Sequence, residues 1–156
     1  MYILIRRSLA TALAVATAGL IAATPAAAGP PAAIHIEVAT LFTQPTAPFT
    51  ASGAAVDAGL LCASGTVTTT DLRATGGQGN AGINFHVDKR FGCADGTVTV
   101  RLQARADRDG VTFRWVVLGG TGAYARVNGS GSGVGRPLPD GNPDGVLDIY
   151  DGALIG

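Results

Sequence analysis

TVTVRLQARADRDGVTFRWVVLGG, residues 97–120, decides the fold. In its first half Val98, Val100, Leu102 and Ala104 share one face, while Thr97, Thr99, Arg101, Gln103 and Arg105 share the other. That period of two is the mark of a half-buried β-strand. The alternation resumes in VTFRWVVLGG, from Val111, after the turn residues Asp107-Arg108-Asp109-Gly110. With Arg108-Asp109 as the hairpin loop, Leu102 falls opposite Trp115, Ala104 opposite Phe113, and Arg105 opposite Thr112 on the polar side. Moving the turn to Asp109-Gly110 slides the register by two residues but keeps every side chain on its face.

The same pattern extends in both directions. Ile34, Ile36 and Val38 alternate with His35, Glu37 and Ala39; Ile83, Phe85 and Val87 alternate with Asn84, His86 and Asp88. Asp88-Lys89-Arg90 reads as a solvated strand end. Further strands are expected at 65–73, 124–134 and 145–155, with a weaker one inside 49–60. GGQGNAG, 76–82, reads as a flexible loop, and no amphipathic helix of useful length is present. Short strands broken by Gly and Pro at such spacing indicate an all-β sandwich or barrel. A barrel also removes the exposed edges that a secreted sheet protein must protect.

The N-terminus reads as a signal peptide over residues 1–28: Arg6-Arg7, an uncharged apolar run from Leu9 to Ala23, then Ala26-Ala27-Ala28. The arginine pair also fits a twin-arginine signal loosely, and ordinary secretion is the simpler reading. Cleavage after Ala28 leaves one secreted domain, 29–156. Without Arg6 and Arg7 it has nine Lys and Arg against eleven Asp and Glu. That balance gives no electrostatic attraction for nucleic acid or an anionic membrane, and no second apolar segment approaches spanning length. In an exported chain the isolated pair Cys62 and Cys93 is expected to form a disulfide.

GGTGAYARVNGSGSG, residues 119–133, raises the question of a phosphate loop. A P-loop needs a lysine after its last glycine, and a dinucleotide fingerprint needs three glycines opening a helix. Here no lysine follows, Ala125 stands where the third glycine belongs, and the next residues alternate like a strand. The glycines read as a tight corner followed by a strand of little bulk.

VVLGGTGAYARVNGSGSG resembles a segment of the allene oxide cyclase and dirigent-like barrel superfamily, where a strand ends in GG(S/T)G before an aromatic residue. LCASGTVTTTDLRATGG, NFHVDKRFGCADGTVTVRLQAR and DIYDGAL extend the resemblance, most closely to small secreted bacterial proteins of that type, over roughly 50–155. The resemblance implies a single antiparallel β-barrel of about eight strands with an apolar interior. It carries over Gly119, Gly120, Gly122 and Tyr124 as structural positions, and no catalytic residue.

DGNPDGVLDIYD fits the calcium-loop spacing with Asp140, Asn142 and Asp144, then Asp148 at the ninth position and Asp151 at the twelfth. The competing reading is an ordinary proline-glycine turn leading into the last strand. Ser130 and Ser132 lack a nucleophile elbow. His35 and His86 lie on the polar faces of separate strands, and no third ligand for a catalytic zinc accompanies them. Arg101, Arg105 and Arg114 form a small basic stripe, suited to an acidic glycan or partner or simply solvated. Phe85, Phe113, Trp115 and Tyr124 are expected in the core, or lining a cavity for an apolar ligand if the barrel is hollow.

The function expected is that of a secreted, disulfide-bonded, non-catalytic barrel without a cofactor, binding a small apolar molecule or serving as an extracellular module. One alternative is a cofactor-independent isomerase or cyclase, which needs a buried inward-facing carboxylate or histidine. The other is a calcium-dependent interaction module.

Overall fold

The computed structural model describes residues 29–76, 82–108 and 110–156; the expected signal peptide, residues 77–81 of the glycine-rich loop and Asp109 lie outside them. The described chain is a closed, all-antiparallel barrel of eight strands in sequence order. These are β1 (Ala32–Leu41), β2 (Thr46–Ser52), β3 (Ser64–Gly76), β4 (Ile83–Cys93), β5 (Gly96–Asp107), β6 (Gly110–Gly120), β7 (Asn128–Arg136) and β8 (Gly145–Ile155). β1 pairs along its whole length with β8, and the Gly29 amide donates to the Gly156 carbonyl at 3.1 Å, so the first and last described residues meet.

The β5–β6 hairpin has the expected partners: Leu102 with Trp115, Ala104 with Phe113 and Arg105 with Thr112. A bulge between Thr99 and Val100 lies further down the same ladder. The weak strand expected within 49–60 is β2, which begins earlier and stops at Ser52. Residues beyond it form the short helix α1 (Ala54–Asp57) and a loop across the barrel end. Likewise β7 starts at Asn128, because Gly122–Tyr124 makes a 3₁₀ turn.

Side chains fill the lumen. Phe49, Phe91, Tyr150 and Phe113, from four different strands, make a chain of edge-on ring contacts with centroids 5.2, 5.7 and 4.8 Å apart. Each such contact contributes about 0.5–1.5 kcal/mol beyond its buried area. Glycines in β7 and β8 make room for the large residues of β6. A Cβ at Gly131 would lie 2.7 Å from the Trp115 ring, and one at Gly133 would overlap the Phe113 ring. Trp115 remains satisfied there, its indole N–H donating to the Ser132 carbonyl at 3.2 Å.

One end of the barrel is closed. Ala55 and Leu61 of the segment after β2 are buried there with Tyr124 and Val127, and Cys62 is bonded to Cys93 at the end of β4. The disulfide closes a loop of 31 residues and is worth about 3–4 kcal/mol through the unfolded chain's lost entropy. The Gly119–Tyr124 corner packs on the β4–β5 turn: the Ala123 amide donates to the Asp95 carbonyl, and Thr121 Oγ1 accepts from the Thr97 amide. Gly122 sits at φ +59°, and a Cβ there would strike the Asp95 carbonyl oxygen.

Among the described residues the other end is uneven, with no segment laid across it like the one after β2. Paired residues traced once around the barrel climb its wall, from Gly65 through Phe49, Val38, Asp148, Gly135, Val111, Ala106 and Ile83 to Gly76. The path returns to β3 eleven residues further on, or ten once the bulge between Thr69 and Asp71 is discounted. This stagger tilts the strands and gives an eight-stranded lumen just wide enough for side chains to fill. It also carries the β3–β5 wall above the β1–β2 wall. From Thr70 to Gly76, β3 pairs only with β4 among the described residues, and the projecting wall forms a lip.

Candidate functional site

The lumen-facing side of the lip is apolar. Leu72 is paired with Val87 and Ile83 with Gly76, and residues paired across a ladder share a face. Val87 is paired in turn with buried Leu102, which fixes that face as the inner one. Leu72 is nevertheless 60% exposed and Ile83 38%, because the facing wall ends below them. Phe42, just past β1 at the same end, is exposed as well. Phe85 lies between Val87 and Ile83, half-buried.

Below the lip two charged side chains meet inside the barrel. Lys89 of β4 donates from Nζ to Asp148 Oδ2 of β8 at 2.6 Å, across the lumen between non-adjacent strands. Their side chains are only 7% and 11% exposed. The expectation that Asp88-Lys89-Arg90 forms a solvated end is corrected for its middle residue. Lys89 shares the inward parity of Val87 and Phe91, and Asp148 that of Tyr150 and Leu154. Two further inward groups have no hydrogen-bond partner, the Tyr150 hydroxyl and Thr40 Oγ1. Burial pushes the Tyr150 phenol well above its ordinary range, and the negative charge of Asp148 adds to the effect. Tyr150 is thus a neutral phenol, and the Asp148 carboxylate is balanced by the Lys89 ammonium.

The four aromatic candidates separate. Phe85 stands on the lip, in one row with Ala104 and Phe113. Phe113 and Trp115 are buried in the filled lumen, and Tyr124 lies at the closed end.

The calcium set is also corrected. Asp140 Oδ1 accepts from the Asn142 amide and Asn142 Oδ1 from the Asp144 amide, so the loop's side chains cap its own turns. Asp148 points into the lumen. Asp151, three residues on, points outward and accepts from His35 Nδ1 at 2.7 Å. The five side chains cannot converge, because strand alternation sends the last two to opposite faces. Among the described residues no group of three or more His, Cys, Asp or Glu is placed to hold a metal ion.

The outer surface carries the remaining polar candidates. His35 also lies 3.4 Å from Glu37, and its pKa is raised from 6.5, chiefly by the Asp151 hydrogen bond. His86 stands apart on β4. Arg101 makes two bonds of 2.8 Å to Asp88, which hold that carboxyl below its usual value. Arg105 lies 3.5 Å from Asp107. Arg114 has no ion-pair partner among the described residues. Beside it an open groove of about 610 Å³ crosses the outer faces of β4 to β7.

Alternation alone could have found Lys89 and Asp148; their charge argued the other way. Comparison with protein-family models, with curated proteins and with solved structures finds no match to this chain.

Proposed function

We propose that this protein is a secreted, non-catalytic binding module that takes a small apolar molecule against the lip at its open end. The observation that carries the reading is the exposure of Leu72 and Ile83 on the lumen-facing side of a wall that, among the described residues, rises above the one facing it. Clustered exposed apolar side chains of this kind mark ligand sites on otherwise polar surfaces. The filled lumen below leaves the ligand at the mouth, above the Lys89–Asp148 pair. Secretion is supported by the disulfide and by the character of residues 1–28.

The test uses the neutral dye N-phenyl-1-naphthylamine, whose emission rises in apolar surroundings. The wild-type protein should enhance it, and Leu72→Ser should bind it about tenfold more weakly, given the worth of one buried leucine. No enhancement by the wild type, or equal enhancement by the variant, overturns the reading.

The inward carboxylate of Asp148 favours a second reading, a cofactor-independent isomerase. Native mass spectrometry of protein from culture medium, with chromatography of any bound species, separates the two. A species matching one in the medium supports binding, and an isomer of it supports turnover.

A further inference from the structure

We infer that the outer groove across β4–β7 binds an acidic polysaccharide, independently of the mouth. Its lining contains Arg105, which lies 3.5 Å from Asp107 beside the groove, and Arg114, and itself holds no carboxylate, on a chain whose residues 29–156 carry two more acids than bases. The two arginines are diagonal neighbours, since Arg105 pairs with Thr112 and Arg114 with Gln103. Side chains so placed on one sheet face are close enough to act on the same group or on adjacent ones. Guanidinium forks match carboxylate and sulfate oxygens, and Arg114 is not already committed to an acid among the described residues.

The rest of the lining separates a glycan from other polyanions. His86, Gln103, Thr112 and Ser132 supply exposed amide, imidazole and hydroxyl groups suited to sugar hydroxyls. His86, Gln103, Arg114 and Ser132 are consecutive partners in one row across four strands, so these groups recur at the spacing of the strands. An acidic peptide added as a strand needs a free backbone edge, and the groove crosses strands paired on both sides. A docking helix needs an apolar trough, and nucleic acid needs exposed rings for stacking. Phe85 and Phe113 border the groove, but strand alternation turns their rings to the lumen.

The experiment measures binding of the purified protein to polygalacturonate, heparin, dextran and poly-glutamate by biolayer interferometry. Wild type should bind polygalacturonate or heparin, more weakly as salt rises, and should ignore dextran. Arg105→Gln and Arg114→Gln should each weaken binding about tenfold, as for loss of a charge-assisted hydrogen bond. Arg126→Gln, outside the groove, should leave it unchanged, and circular dichroism should show all three variants folded. Absence of polyanion binding overturns the proposal, as does equal weakening by Arg126→Gln. Poly-glutamate binding as tight as that of the polysaccharides overturns it too, in favour of an acidic protein partner. Dye binding at the mouth should survive both groove variants, so failure of either site is read separately.

Discussion

Replacing Lys89 by methionine tests how the open end is built. The Lys89–Asp148 bond is 2.6 Å long and its side chains are 7% and 11% exposed, so the small value of a surface ion pair does not apply. Lys89→Met leaves the Asp148 carboxylate among apolar neighbours without its cation, at a cost of about 3–5 kcal/mol. For a domain of this size that lowers the thermal midpoint by about 10–15 °C. Asp148→Leu should cost about as much, because it strands the lysine instead. The double variant removes both charges and should lose no more than either single change, recovering most of the wild-type stability. Urea unfolding of the four proteins, followed by circular dichroism, gives the cycle. Single variants within 1 kcal/mol of wild type on the scale of surface pairs would refute burial of the pair. Additive losses in the double variant would refute the argument that an unpaired charge is what costs.

Three further outcomes are expected. Gly133→Ala drives a Cβ into the Phe113 ring and the Ile149 carbonyl, and should cost about 1–3 kcal/mol in urea unfolding. His35 should titrate above 6.5 by NMR, and Asp151→Asn should bring it down. Because the folded pKa is the raised one, the stability from this contact is full below about pH 6.5 and vanishes as pH rises through the folded value. Tyr150→Phe removes a buried hydroxyl that has no partner, so it should leave stability unchanged or raise it by up to about 1 kcal/mol.

The parts of the fold legible in the sequence are those where one periodicity speaks alone. The 97–120 hairpin, with its partners, and the disulfide follow from alternation, turn chemistry and an isolated cysteine pair. β2 was harder to delimit, since it is short and contains Pro48, and the helical turn after it spans only four residues. The bulges at Thr69/Asp71 and Thr99/Val100 have no local signature, because a bulge adds a residue without changing its type. The site was half legible. The inward face of Phe85 follows from alternation, while exposure of Leu72 depends on where the opposite wall ends. Lys89 and Asp148 obey the alternation of their strands. Only their pairing across the lumen, a property of the closed barrel, makes that inward placement tolerable.

The bond between Gly29 and Gly156 has a practical consequence. Gly29 and Gly156 lie beside each other at the closed end, opposite the lip. A short linker joining them, with new termini cut into the loop at 42–45, should give a circular permutant with the same ladders. Fusions placed directly before Gly29 or after Gly156 should likewise hang from the base of the barrel, leaving the mouth free when the protein is tethered to a surface.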